Sequence, residues 1–357
     1  MKVAIIGSRG VPARYGGFET FAEVLARGLA DRGHEVIVYS LPEFRKVPFD
    51  YPKVERTFVR ASKFSSVQKV SMSSLAIFHS AFRGKSGAII FLGVSGGLLM
   101  WLPRVMKTKT LVNIDGLEWR RSRWGGLIKF GLKTLEHLAV KWSDVVIADS
   151  EAIGQYVVSE YKRDYSYIPY GADECKYTEK DWDDMKRRYN LEPGGYYLIV
   201  GRHVPENNFD ISIEGFLKSE SSRKLVIVSN LAGQETVLSP KVIFAGGIYD
   251  RPKLFALRAN AFAYIHGHSV GGTNPSLLEA ISSNNIVLAY DVQYNREVLS
   301  EYGYYYRDEK DLGRSIIFLE KDYKEPDREK MLKYYRSILE EKYNWDIVIN
   351  QYEKLLH

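Results

Sequence analysis

The chain predicts an α/β protein made of two parallel-sheet lobes. Three observations point there. Its 357 residues exceed what one hydrophobic core ordinarily supports and suit two α/β domains. Short apolar runs alternate with helical patterns twice over, once before about residue 170 and again from residue 196. Two glycine-rich turns, GSRGVPARYGGFET (Gly7–Thr20) and GHSVGGTNPSLLEA (Gly267–Ala280), each join a buried strand to a helix. Such a turn aims unpaired backbone N–H groups and the positive end of a helix dipole at one spot. Two of them suggest a central cleft that the lobes face, holding a diphosphate.

The elements follow in order. Val3–Ile6 is apolar throughout and reads as a first strand. Phe18, Phe21, Leu25 and Leu29 recur at helical spacing, Gly33 ends that helix, and Glu35–Tyr39 resumes a β-rich run. A strand–helix–strand unit of this kind implies a parallel sheet. Further strands are expected at Arg56–Val59, Ala88–Leu92, Thr110–Ile114 and Val145–Ala148. The second series is Tyr196–Val200, Leu225–Ser229, Val242–Phe244, Phe262–His266 and Ile286–Tyr290. Between the series lie a turn-like IPYGAD, a polar helix near Asp181–Tyr189 and PGG, a plausible linker. Helices are expected from about Asp327 and from Trp345. We therefore expect an N-terminal lobe over 1–169 and a C-terminal lobe over 170–342, with the helix of 343–357 packing back on the first.

Composition narrows the class. Hydrophobic residues make up 45% and charged residues 26%, so the chain is globular. A single cysteine, Cys175, excludes an internal disulfide and argues against a cysteine-based zinc site; a reducing, cytoplasmic compartment fits. MKVAIIG has too short an apolar run for a signal peptide. The uncharged run Ser86–Pro103 has GVSGG in its middle and divides better into a strand and a helix start than into a membrane span. Residues 1–170 hold 25 Lys and Arg against 15 Asp and Glu, whereas the remainder holds 25 against 29. The positive half suits an acidic partner.

The first turn is not a nicotinamide fingerprint: GSRG…GG departs from GxGxxG, and Tyr39-Ser40 stands where an acidic residue would hold ribose. Its paired Gly16 and Gly17 let a ligand approach the backbone closely. In the second turn, Pro275 suits the first helical position with Asn274 as N-cap, Gly271, Gly272 and Thr273 line the loop, and Glu279 lies one turn inside. In IVGRHVPENN, Arg202 follows a strand-ending glycine and offers a planar fork of donors to a diphosphate. Asp115, in VNIDGLEWRR, follows a strand and can be either a cleft residue or a turn aspartate. His266 and His268 flank Gly267 without an apparent third ligand, so no metal is expected.

The order GGFE, SEA (Ser150–Ala152), IPYGAD (Ile168–Asp173), VGR (Val200–Arg202) and LLEA resembles the retaining glycosyltransferases of family 4, which have the GT-B fold of two Rossmann-like lobes. The strings GSRGVPARYGGFE, DGLEWRR, GRHVPENN and GGTNPSLLEA look most like a rhamnosyltransferase-like branch. The resemblance spans nearly the whole chain. It implies transfer of a sugar from a nucleotide diphosphate donor to a saccharide acceptor with retained configuration, without a cofactor or metal. It implies that Gly16 and Gly17 approach donor phosphate, Arg202 binds the diphosphate and Glu279 holds the donor ribose. Asn208 stands where the family often has a lysine, and Gly271 where it often has a glutamate that meets sugar hydroxyls. That second departure speaks against a glucose- or mannose-type donor and leaves a 6-deoxy sugar such as rhamnose compatible. Asp115 falls near the family's catalytic histidine, with Glu118 a weaker choice. Retention without a nucleophile implies front-face attack, with the leaving diphosphate taking the acceptor's proton.

Residues Trp119–Trp142 interleave aromatics, leucines, Arg and Lys, and one helical face gathers Leu127, Phe130, Leu135 and Leu138. That face by itself reads as packing on the lobe's own sheet. The basic excess, with Lys63, Lys69, Arg83 and Lys85 around the amphipathic Val67–Phe82, points to an anionic membrane surface and a lipid-diphosphate-linked saccharide acceptor at the cytosolic face. Two other classes compete. A sugar-nucleotide epimerase of similar two-lobe fold needs an acid–base set, for which Asp115, Glu118 and His268 are the candidates. A nucleic-acid-binding module lacks any recognised motif.

Overall fold

The computed structural model describes the chain except residues 15, 63, 115, 122–123 and 231–238, and except the side chains of 65, 66 and 325. Asp115 and Lys63 thus lie outside the described residues. The chain divides into two compact units, residues 1–171 with 345–357, and residues 172–344.

The first unit holds strands β1 (Lys2–Ile6), β2 (Glu35–Ser40), β3 (Val54–Phe58), β4 (Ala88–Leu92), β5 (Lys109–Ile114), β6 (Val145–Ala148) and β7 (Ser166–Tyr167). They form a parallel sheet in the order β3-β2-β1-β4-β5-β6-β7. The central β1 and β4 are apolar because helices cover both faces of such a sheet. The helix Gly17–Asp31 buries Phe21, Leu25 and Leu29 against it, matching the spacing read from the sequence. The helix Trp345–Lys354 completes this core: Val348, Ile349 and Tyr352 are buried with them, and the Tyr352 hydroxyl accepts from Asn113 Nδ2 at 2.6 Å. A Cβ on Gly28 would lie 2.4 Å from Ile349, so the close approach of the two helices at that point requires glycine.

The second unit holds β8 (Tyr196–Val200), β9 (Lys224–Val228), β10 (Val242–Gly246), β11 (Ala263–His266), β12 (Ile286–Tyr290) and β13 (Tyr304–Tyr306). Their order is β10-β9-β8-β11-β12-β13, again parallel. The polar helix appears as Glu179–Tyr189, opened by a reciprocal cap between Thr178 and Asp181. Two short strands, β7 and β13, lie outside those expected from the sequence, because two or three residues carry no clear alternation. The run Ser86–Pro103 is a strand followed by a helical turn, and among the described residues no helix is long and apolar enough to cross a membrane.

The helix Gly126–Trp142 departs from the expected packing. It buries Ala139, Val140 and Glu136, the last accepting from the hydroxyls of Tyr156 and Tyr161 at 2.5 Å each, and its Leu135 carbonyl meets Gly97, where a Cβ would lie 2.1 Å away. Leu135 and Leu138 are half-buried, but Leu127 and Phe130 stand 90% and 74% exposed.

Candidate active site

In each unit the strand order reverses beside the first strand, between β1 and β4 and between β8 and β11. Loops leaving the two strands at such a point diverge to opposite faces of the sheet and leave a crevice at its carboxyl end. Both glycine turns sit there. The units solve the crowding alike. A Cβ on Gly7, after β1, would lie 2.1 Å from the Leu92 carbonyl oxygen at the end of β4. One on Gly267, after β11, would lie 2.1 Å from the Asn207 carbonyl oxygen in the loop after β8.

The second unit carries the richer constellation. Asn274 caps the helix Pro275–Ser282, accepting from Ser276 N at 2.9 Å, with Pro275 in its first turn. Beneath the helix start, Tyr264 hydrogen-bonds Ser276 Oγ at 2.7 Å and donates to the Val200 carbonyl at 3.0 Å. Across the crevice, Asn208 adopts a left-handed conformation (φ +47°) and its Nδ2 donates to the Gly267 carbonyl at 2.7 Å. Asn208 thus joins the two loops. Gly271 has φ +148°, in the region that favours glycine, and a Cβ there would lie 2.9 Å from His268 Nε2. A glutamate at 271 would need a different loop conformation. Gly272 and Thr273 are buried beside it.

Arg202 leaves the end of β8 exposed, and among the described residues its guanidinium makes no ion pair. Its carbonyl accepts from Asn207 Nδ2 at 2.6 Å, which fixes the backbone while the side chain stays available. Glu279 is half-buried and already charge-paired: Oε2 lies 2.6 Å from Nη2 of Arg258, and Oε1 lies 3.7 Å from Nη2 of Arg251, which also pairs closely with Asp173. Arg258, fully buried, also donates to Ser276 Oγ at 3.0 Å. Sequence reading missed Arg258 and Asn207. For Arg258 one signal existed: in RPKLFALRAN it falls one turn after Phe255, on the apolar stripe of its helix.

His266, at the end of β11, is buried, and burial foremost, then His268 and Arg258, hold its pKa well below the ordinary 6.5. It is neutral at physiological pH. Among the described residues no group of three or more His, Cys, Asp or Glu is placed to hold a metal.

In the first unit, Gly16 precedes the helix in extended conformation and accepts from the Glu19 and Thr20 amides. Among the described residues, and apart from its chain neighbours, a Cβ on Gly16 would meet nothing within 4 Å. Gly17 is exposed, and its carbonyl accepts from the Tyr170 hydroxyl at 3.0 Å. Glu19 is buried and accepts from Arg14 N at 3.0 Å, holding the loop. Glu118 is half-buried and pairs with Arg121 at 2.9 Å. The second unit therefore brings together Arg202, Asn208, Gly271, Gly272, Thr273, Asn274 and Glu279 at one crevice, whereas Gly16, Gly17 and Glu118 belong to the first.

Residues 1–173 match a family described as a domain of unknown function (DUF1972). No curated protein matches the chain in sequence. Solved structures do match over its length. The sucrose-phosphate synthase of Thermosynechococcus elongatus superposes with a TM-score of 0.81 at 17% identity, covering 99% of this chain and 98% of that one. Anabaena HepE in complex with UDP gives 0.76 at 13%, covering 100% and 99%. WaaG, a glycosyltransferase involved in lipopolysaccharide biosynthesis, gives 0.74 at 14%, covering 99% of each. The fold is GT-B. GT-B organisation accounts for the two parallel sheets.

Proposed function

We propose that the chain is a retaining glycosyltransferase that moves a sugar from a nucleotide diphosphate donor to a saccharide acceptor. The observation that carries this reading is the β8/β11 crevice, where Arg202, exposed and without an ion pair among the described residues, follows β8 and a glycine turn and a capped helix start follow β11. A diphosphate leaving group gathers charge as the glycosidic bond breaks; the Arg202 fork and the loop amides are groups suited to stabilise it. Glu279 accepts from the ribose while Arg258 and Arg251 hold its carboxylate in place. Gly16 and Gly17 are assigned to donor phosphate, and Asp115 and Glu118 to the reacting centre, by the resemblance. Rhamnose is the sugar that the rhamnosyltransferase-like strings suggest. Several of the similar structures contain UDP, UDP-glucose or ADP, which supports the donor class.

The acceptor is proposed to be lipid-linked and the protein to work at the cytosolic face of an anionic membrane. The segments 65–84, 97–105 and 126–142 pack on one another and leave Phe78, Phe82, Trp101, Val105, Leu127 and Phe130 exposed. Exposed Lys69, Arg83, Lys85, Arg104 and Lys107 lie on or beside the same segments. Apolar and basic groups interleaved in this way suit an interface rich in anionic lipid.

The test is a thermal-shift panel of UDP, dTDP, GDP and ADP, then the sugar forms of whichever binds. A ligand at a hundredfold excess over its Kd stabilises by about 2.7 kcal/mol, a readily measured shift. No stabilisation by any of the four would overturn the reading. Acceptor-dependent release of the nucleoside diphosphate is expected to follow; conversion of the donor to its epimer without acceptor would replace transfer by isomerisation.

A further inference from the structure

Among the described residues of the first unit, those other than glycine that hold a left-handed backbone are all lysines: Lys85 (φ +48°), Lys107 (φ +56°) and Lys162 (φ +54°). Each follows a helical segment and leads into a strand, β4, β5 and β7 in turn. Glycine or asparagine is the usual choice there, because a Cβ strains that torsion. Lys162 has a local reason: its Nζ donates to the Ser159 carbonyl at 2.8 Å, within the helix it ends. Lys85 and Lys107 have none. Both are exposed, and neither side chain makes a hydrogen bond or ion pair among the described residues. They come together across the sheet. β4 pairs with β5 from Ala88 opposite Lys109, and Lys109 N donates to the Gly87 carbonyl at 3.1 Å, so the chain enters both strands side by side at the amino edge. Arg83 and Arg104, shortly before the two lysines in sequence, are likewise exposed and unengaged among the described residues. The carboxylate at the neighbouring entry, Asp144 before β6, is already taken by Thr110, by its N at 2.8 Å and its Oγ at 2.9 Å. Phe82 and Val105, 53% and 71% exposed, lie beside the cations in the chain.

We propose that this amino edge binds the phosphates of anionic phospholipid, with Lys85 and Lys107 as the headgroup contacts and Phe82 and Val105 entering the acyl boundary. The inference rests on the membrane docking proposed above and assigns its charged contact to one edge of the first sheet. Unpaired cations flanked by exposed apolar side chains are complementary to both layers of such an interface, the anionic headgroups and the hydrocarbon beneath them. A lysine ammonium on its flexible stem is a compact point charge, suited to a mobile headgroup rather than to a fixed planar anion. The edge lies opposite the carboxyl ends of the strands, so a headgroup held there leaves the Gly7–Thr20 turn unobstructed.

The experiment titrates vesicles of phosphatidylcholine containing phosphatidylserine against three proteins: the unaltered chain, the double variant Lys85→Gly with Lys107→Gly, and the double variant Lys46→Ser with Arg60→Ser. The glycine pair removes two charges and relieves both torsions, so its melting temperature should not fall. The serine pair removes the same charge from exposed positions after β2 and β3, at the other edge of the sheet. The glycine pair is expected to weaken vesicle binding about tenfold to thirtyfold, the contribution of two cations at an anionic lipid surface, and the serine pair by less than about threefold. Equal losses in the two variants, or undiminished binding by the glycine pair, overturn the proposal and leave membrane docking standing. Failure of the unaltered chain to bind these vesicles refutes the docking itself, which is a separate outcome.

Discussion

Glu279 and Arg258 form a pair in which the arginine is 1% exposed and the carboxylate 22%. Removing one partner of a largely desolvated pair leaves the other charge uncompensated. Glu279→Ala is expected to lower the unfolding free energy by about 2–3 kcal/mol, near the bottom of the range for buried pairs because the carboxylate retains solvent contact. Urea denaturation measures it. A change within about 0.5 kcal/mol would mean that water compensates Arg258 without the carboxylate.

Arg202, at the end of β8, behaves oppositely. It is exposed and makes no ion pair among the described residues. Arg202→Ala is therefore expected to leave the melting temperature unchanged and to weaken nucleoside diphosphate binding by about tenfold to a hundredfold, the range for hydrogen bonds to a charged partner. Undiminished affinity would remove the residue from the site.

Two glycines separate folding from binding. Gly267→Ala places a methyl 2.1 Å from a backbone oxygen, and overpacking of this kind costs about 1–3 kcal/mol. Gly16→Ala meets nothing within 4 Å among the described residues beyond its chain neighbours and has no positive torsion to strain. Its stability should hold, and any loss should appear only in ligand affinity. Equal melting temperatures for the two variants would contradict the crowding at β11.

His266 sets a pH dependence of known sign. Its folded pKa is depressed by burial, whereas the unfolded chain titrates near 6.5. Below that pH the unfolded state takes up a proton that the folded state refuses, so stability present above pH 6.5 is lost on acidification. The limiting slope is about 1.4 kcal/mol per pH unit for one group. Urea titrations at about pH 7.5 and 5.5 should show a steeper fall in the unaltered protein than in His266→Phe; parallel falls would place the titration elsewhere.

The exposed aromatic pair Phe78 and Phe82, with ring centres 4.6 Å apart, offers a direct check on membrane docking. Replacing both by serine should reduce flotation with anionic vesicles and leave the melting temperature unaltered. Raised salt should reduce binding in both forms. Binding that ignores both lipid charge and the two substitutions would defeat the interfacial reading.

The sheets were legible because their central strands are buried on both faces and therefore uniformly apolar, as in Val3–Ile6 and Tyr196–Val200. The Asn274–Pro275 helix start was legible because capping chemistry is local. Strand β3 begins two residues before its expected start, since Val54 and Glu55 carry no clear period. The network beneath the site was not legible. Arg258 meets Glu279, and Asn207 meets His268, across loops far apart in sequence. Nothing local announces that Gly271 is a torsional requirement rather than a lost carboxylate. The packing of helix Gly126–Trp142 went unread for a related reason: one of its anchors is Glu136, a polar residue buried by two tyrosines.

The segment Trp345–His357 belongs to the first unit although the entire second unit precedes it in the chain. During synthesis on the ribosome, the N-terminal sheet therefore emerges early with one hydrophobic layer missing, including the side that meets Gly28. It cannot close until translation has passed beyond Asn344, and until then its apolar flank is exposed to chaperones. The order of completion thus reverses the order of emergence: the half made later can mature first.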